Sequence, residues 1–147
     1  MPEMPLPEDQ LVNLFDRLRK LAFNQHPLEG SAVTMPQLTL LDLIAASPGC
    51  NMHDIATGLD VTAPTVSVSV RRLERAGLLE RQPDPRDKRA VQLFLTAEGQ
   101  VLWQQARDFR REKMRRLLDG LSENEGLMLL ALLERAISKA ENEIQIL

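Results

Sequence analysis

Between Thr62 and Thr96 the chain reads TAPTVSVSVRRLERAGLLERQPDPRDKRAVQLFLT, and the punctuation of this stretch restricts the fold more than any other segment does. Thr62 is a helix N-cap residue type, and Pro64 falls in a first turn, where a missing N–H is tolerated. Gly77 supplies the left-handed residue that follows a helix end. Between those marks, Thr65 to Val70 alternates with period two and is rich in β-branched residues, so local propensity favours a strand. The punctuation outweighs it, because Val66, Val70 and Leu73 fall at i, i+4 and i+7 on one helical face. Two short apolar runs follow, Leu78 to Gln82 and Ala90 to Leu95, flanking a PDPRDKR loop too polar and proline-rich to be buried. The expectation is one helix and then a β-hairpin.

The remaining elements read as helices. Pro7, Glu8 and Asp9 suit a first turn, and the first helix is expected from Glu8 to about Asn24, closed by His26-Pro27 and Gly30. Its Leu11, Leu14, Leu18 and Leu21 step by three and four, a narrow seam widened by Phe15. Thr34 with Gln37 opens a second helix, which Ser47-Pro48-Gly49 stops, and Asn51 caps a short third one, MHDIATGL. Thr96 opens a long helix reaching about Asp119, ended by Gly120. Ser122 with Glu125 opens the last, where Leu130, Leu133, Ile137, Ala140 and Ile144 repeat the seam of the first helix. The matching seams imply that the two chain ends pack together and complete their core in a dimer.

Composition narrows the function classes. With 147 residues, 44% apolar and 27% charged, the chain suits one ordinary domain or a small domain with helical extensions. No window approaches the roughly 18 unbroken apolar residues of a membrane span, and MPEMPLPEDQ lacks the positive and apolar regions of a signal peptide, so a cytoplasmic protein is expected. The single Cys50 forms no internal disulfide. Its C-x-x-H spacing to His53 supplies two ligands where a metal site needs more, and the other histidine, His26, is distant in sequence; no metal or cofactor is expected. Two histidines, one cysteine, no tyrosine and no glycine-rich phosphate loop leave no catalytic constellation, so the chain is not expected to be an enzyme. The net charge of −3 is unevenly spread. Residues 62–92 hold seven bases against four acids, a balance of +3, which leaves −6 to the rest. A basic patch on an acidic body suits binding to DNA through one face.

Three short helices followed by a two-stranded hairpin is the order of a winged helix-turn-helix. The fold class expected is mainly α (α+β), with the N- and C-terminal helices forming a dimerisation lobe from residues 1–30 and 97–147 around a DNA-binding lobe of residues 31–96. Several motifs point further: Ile55-Ala56, the helix end Leu73-Glu74-Arg75-Ala76-Gly77-Leu78-Leu79-Glu80-Arg81, the loop Asp84-Pro85-Arg86-Asp87-Lys88-Arg89, and Leu95-Thr96-Ala97-Glu98-Gly99. With them the chain resembles the MarR family of transcriptional regulators over nearly its whole length, the D-x-R-x-x-R loop and L-T-x-x-G being most specific.

On the residues alone, packing Val66, Val70 and Leu73 inward turns Pro64, Thr65, Val68, Arg71, Arg72 and Arg75 outward. Thr65 can exchange hydrogen bonds with base edges and Val68 can meet a thymine methyl, whereas an exposed helical valine has no solvation benefit. Thr62, Ser69 and Lys88 complete the expected DNA-binding set. The resemblance implies that this helix reads the major groove, that Arg86 at the wing tip enters the minor groove, and that Asp84 and Arg89 brace the hairpin. It also implies a pocket between the lobes, with Trp103 a candidate for its lining and a small phenolic or aromatic ligand as effector. The expected partners are double-stranded DNA and a second copy of the chain, paired through Leu11, Leu14, Leu18, Leu130, Leu133, Ile137 and Ile144, with no membrane partner. The expected function is a dimeric regulator, a repressor in sign, reading a pseudo-palindromic operator. A helical protein-interaction adaptor explains the seams but leaves the basic wing idle.

Overall fold

The computed structural model describes residues 5–23 and 33–144, with eight elements among them: α1 (Pro7–Phe23), α2 (Met35–Ala46), α3 (Met52–Leu59), α4 (Ala63–Arg75), β1 (Leu79–Pro83), β2 (Val91–Leu95), α5 (Ala97–Leu118) and α6 (Glu123–Ile144). The stops expected at His26-Pro27 and Gly30 lie outside the described residues. Caps set the helix starts. The Asn51 side chain accepts from the Asp54 N–H at 2.8 Å while Asp54 accepts from the Asn51 N–H at 3.1 Å, and Ser122 with Glu125 makes the same reciprocal pair. Before α2, the Thr34 N–H donates to the Gln37 carboxamide at 3.0 Å.

TVSVSV is helical, as its flanking punctuation implies. Val66 and Val70 reach the core with Leu73, and burying one face of α4 outweighs the modest strand propensity of its valines. Around them close Leu38, Leu40, Leu41 and Ile44 of α2, Ile55 of α3, Leu79 of β1 and Leu93 of β2, all nearly inaccessible to solvent. Each such side chain contributes about 1.5–3 kcal/mol of burial free energy. The α3–α4 turn is held by Asp60 in the left-handed region, at φ 52° and ψ 47°. Strands β1 and β2 pair antiparallel, Leu79 opposite Leu95 and Pro83 opposite Val91. Cys50 bridges to Leu93 beyond them, its O accepting from the Leu93 N–H at 2.9 Å. Burial pushes the Cys50 thiol up, and the charge of Asp54 adds to the shift, so the thiol form is favoured.

One atom ties the end of α4 to the start of α5. The Thr96 hydroxyl donates to the Gly77 carbonyl and accepts from the Gly99 N–H, and the Thr96 N–H donates to the Leu78 carbonyl at 3.1 Å. Gly77 takes φ 73°, the backbone shape that only glycine adopts without strain. Gly99 is required for a different reason: a Cβ there would lie 1.9 Å from the Leu78 carbonyl oxygen. The helix therefore rests directly on the backbone before β1. Further along α5, Ala106 is buried, Leu102 and Trp103 pack on the same core, and the Trp103 indole N–H donates to Asp42 of α2 at 2.8 Å.

The chain divides into two compact units, Met1–Ala22 with Arg110–Leu147, and Phe23–Phe109. In the first, α6 has no buried residue. The two chain ends fall in one unit, as their matching spacing implies, but within one chain the seams stay open to solvent: Leu14 is 56% exposed and Leu130 53%. Leu18 is half-buried, while Leu11, Leu133, Ile137 and Ile144 are exposed. A two-residue-wide stripe on each of two helices needs a further apolar surface to exclude water from both. On the polar face of α5, Arg115 makes a bidentate pair with Glu112 and reaches Asp119, and Arg116 reaches the same glutamate.

A candidate nucleic-acid interface

The outer face of α4 follows from its inner one. With Val66, Val70 and Leu73 buried, the residues near 180° away are Pro64, Val68 and Arg75, all exposed, and Arg71, Arg72 and Thr65 flank them. Val68 is 49% exposed at the centre of this face. Ser69 lies nearer the buried side and is half-buried, as is Ser67. Thr62 stands at the N-cap position, but its hydroxyl makes no capping bond. It pairs instead with the Thr65 hydroxyl at 2.9 Å, which presents two hydroxyls together at the leading end of the helix. The missing cap leaves first-turn N–H groups of α4 pointing out at the positive end of its dipole, a favourable place for an anion.

Arginines on and beside the helix have separate environments. Arg71 reaches back to Ser67 at 3.4 Å. Arg81 of β1 is committed to Glu74 of α4 at 3.0 Å, so it fastens the wing to the helix and adds no free charge. Arg75 makes no side-chain hydrogen bond or ion pair among the described residues. Neither does Arg72, which also lines a cavity of about 400 Å³ with Val33, Thr34, Gln37, Leu73, Ala76, Leu78 and Leu102.

The wing tip is built from two Asx turns. Asp84 accepts from the Arg86 N–H at 2.8 Å, and Asp87 accepts from the Arg89 N–H at 2.9 Å. The Asp84 N–H closes on the Ala90 carbonyl at 3.1 Å. Asp84 and Arg89 both take part in the bracing, but not with each other, and Arg89 enters through its backbone. A carboxylate two residues before an amide finds that partner at little conformational cost, whereas a guanidinium must order a long side chain to reach an acid. The side chains of Arg86, Lys88 and Arg89 are exposed and make no hydrogen bond or ion pair among the described residues. Acids are held inward on backbone amides while cations extend, which gives the tip a positive outer surface.

Sequence reasoning missed Asp87, Glu74 with Arg81, and the Thr62 hydroxyl pair. The first had a visible signal: Asp-x-Arg occurs twice in succession, 84 to 86 and 87 to 89, each an i to i+2 Asx spacing. The others pair side chains that local spacing does not single out. What the arrangement presents is a helix with a small apolar and hydroxyl face, flanked by basic residues, beside a hairpin tip with exposed cations; it is suited to groove edges and phosphates together.

Comparison with known proteins places these features. The family model described as MarR family matches residues 33–91. The chain is 35% identical over 92 residues to the Transcriptional regulator HosA of Escherichia coli O111:H-, across 60% of this chain and 67% of that protein. It is 29% identical over 106 residues to the Homoprotocatechuate degradative operon repressor of Escherichia coli, across 72% of each. The crystal structure of Streptococcus pneumoniae FabT in complex with DNA matches with a TM-score of 0.76 and 25% identity, over 94% of each chain.

Proposed function

The chain belongs to the MarR family of transcriptional regulators, and from that premise we propose that it is a dimeric, sequence-reading DNA-binding repressor acting in the cytoplasm. The observation that carries this reading is the outer face of α4 beside a wing whose three cations have no partner among the described residues. Thr65 and Val68 read base edges in the major groove, Thr62, Pro64 and Ser69 frame them, and Arg72 and Arg75 meet phosphates. Arg86 enters the minor groove and Lys88 the adjoining backbone, with Asp84 and Arg89 shaping the turn that aims them. Residues 1–30 and 97–147 form the dimerisation lobe around the DNA-binding lobe 31–96. The seam of Leu11, Leu14, Leu18, Leu130, Leu133, Ile137 and Ile144 joins two copies, so that two α4 helices meet half-sites about one helical turn apart.

Release by a small phenolic or aromatic ligand completes the proposal. It rests on the relative that represses a homoprotocatechuate degradative operon and on the cavity beside Arg72, which has the volume of a small-molecule site. A ligand there shifts DNA affinity only through unequal binding to the two states.

The test is binding to duplex DNA selected from a random pool, followed over a salt series. Affinity falls steeply with salt, and Arg86→Ala with Arg89→Ala weakens it and lowers the log–log slope by up to about 2. An unchanged slope and affinity in that double variant removes the wing from the interface.

A further inference from the structure

We propose that Glu74 and Arg81 are positioning residues that set the pitch of the wing against α4, and so decide whether Arg86 reaches minor-groove base edges while α4 lies in the major groove of the same half-site. The pair acts inside one compact unit, Phe23–Phe109, and its role rests on the DNA-reading function proposed above. The hairpin is held unequally at its two edges. On β2, Leu93 is buried and bonded through its backbone to the segment before α3: the Gly49 N–H donates to the Leu93 carbonyl and the Leu93 N–H to the Cys50 carbonyl, both at 2.9 Å. On β1 only Leu79 is buried, and Glu80, Arg81, Gln82 and Pro83 are exposed. An edge with few buried contacts is the one that leans or opens most readily.

Arg81 supplies the missing restraint. It stands opposite the buried Leu93 in the register and shares a face of the ribbon with Leu79, so its side chain starts toward the body of the unit. Its Nε donates to Glu74 Oε2 at 3.0 Å, and among the described residues no other side-chain hydrogen bond or ion pair joins β1 to α4. Glu74 lies about 120° around the helix from Val68, outside the reading face, so the pair acts through Arg86. At about 3.3 Å per residue the wing tip stands roughly 10 Å beyond Arg81, and a small lean at the pair becomes a larger displacement at the tip. With the helix seated, that displacement decides whether Arg86 meets base edges or phosphates alone.

The experiment uses Glu74→Met, Arg81→Met and Arg81→Lys in the full chain. Methionine keeps much of each side chain's length without its charge, and lysine can still meet Glu74, because Arg81 uses one nitrogen. The probes are the pool-selected duplex and two altered copies. One carries diaminopurine for adenine, which adds an amino group to the minor groove alone; the other carries uracil for thymine, which removes a methyl from the major groove alone. Positions where Arg86→Ala abolishes the diaminopurine penalty are those the wing reads, and finding none overturns the proposal. At those positions both methionine variants should lose about threefold of the penalty, the worth of an ion pair about a third exposed to water, while Arg81→Lys keeps most of it. The uracil penalty stays unchanged. General affinity moves in opposite directions, upward without the acid and downward without the base, so shared loss of discrimination separates positioning from charge. Full diaminopurine discrimination in Glu74→Met, or equal loss in both grooves, overturns the proposal.

Amide exchange judges the restraint without DNA. Residues 80–92 should exchange about threefold faster in Glu74→Met than in wild type, while residues 35–46 stay unchanged. A wild-type chain that binds none of the duplexes refutes the regulator reading and leaves this readout to decide the restraint. Unchanged exchange then overturns it.

Discussion

The two units of this molecule handle their apolar residues in opposite ways. In Phe23–Phe109, ten large side chains from α2, α3, α4, β1 and β2 are fully buried around one core. In the other unit, α6 buries nothing and carries Leu127, Met128, Leu130, Leu132 and Ile137 in the open. The first is a core closed by its own chain. The second leaves its apolar stripe in water, and exposed stripes of this size mark an interaction face, which the proposed function assigns to a second copy. On the proposed function, reading and pairing would fall to different units, and substitutions should reveal that separation.

The largest effect should come from Leu130→Asp with Ile137→Asp. Each buried leucine or isoleucine contributes about 1.5–3 kcal/mol and counts twice in a symmetric pair, so dissociation rises at least about a thousandfold. Light scattering should give a monomer mass at micromolar concentration with the far-UV signal of the winged unit retained; a persistent dimer breaks the comparison at its weaker side. Next comes Gly99→Ala, which places a Cβ against the Leu78 carbonyl and should cost about 3 kcal/mol, lowering the melting temperature by about 10 °C while the pairing surface is untouched. An unshifted melt would show that α5 does not rest on that carbonyl.

Val68→Ala should be milder, weakening the selected operator by about 1 kcal/mol and unrelated DNA hardly at all. Equal loss on both sequences makes Val68 a packing contact. The smallest effect concerns Glu112. Hydrogen bonds from Arg115 and then Arg116 hold its carboxyl at about 2, below its ordinary 4.5. A lowered carboxylate stabilises the fold above 4.5, and that contribution is lost as pH falls through 2. Being exposed, it adds little. Wild type and Glu112→Gln, titrated by circular dichroism from pH 5 downward, should converge only toward pH 2, and convergence near pH 4.5 would mean that the pair is open in solution.

Most of the fold was legible because its signals are local. Asn51 with Asp54 and Ser122 with Glu125 place helix starts through bonds three residues long, and the Val66–Val70–Leu73 spacing outweighed a strand-like TVSVSV. Thr62 shows the limit: the residue type predicts a cap, but a neighbouring hydroxyl competes for the same oxygen. Asp84 shows another, since an amide two residues away wins over a guanidinium five residues away. Trp103 was visible as an apolar residue on the right face. Its acceptor on α2 was not, because nothing in local spacing selects one acid among 21 at a separation of 61 residues.

The Thr96 hydroxyl, held between Gly77 and Gly99, has a consequence for how such chains diversify. The path from Gly77 to Thr96 leaves and returns at a single point 19 residues later. Within it Leu79 and Leu93 are core residues and cannot leave, so the part free to grow, shrink or change charge without moving the scaffold is the loop between Pro83 and Val91. A loop transplanted between Pro83 and Val91 should arrive on strands that are already anchored, so the charge carried at the tip is open to exchange as a cassette.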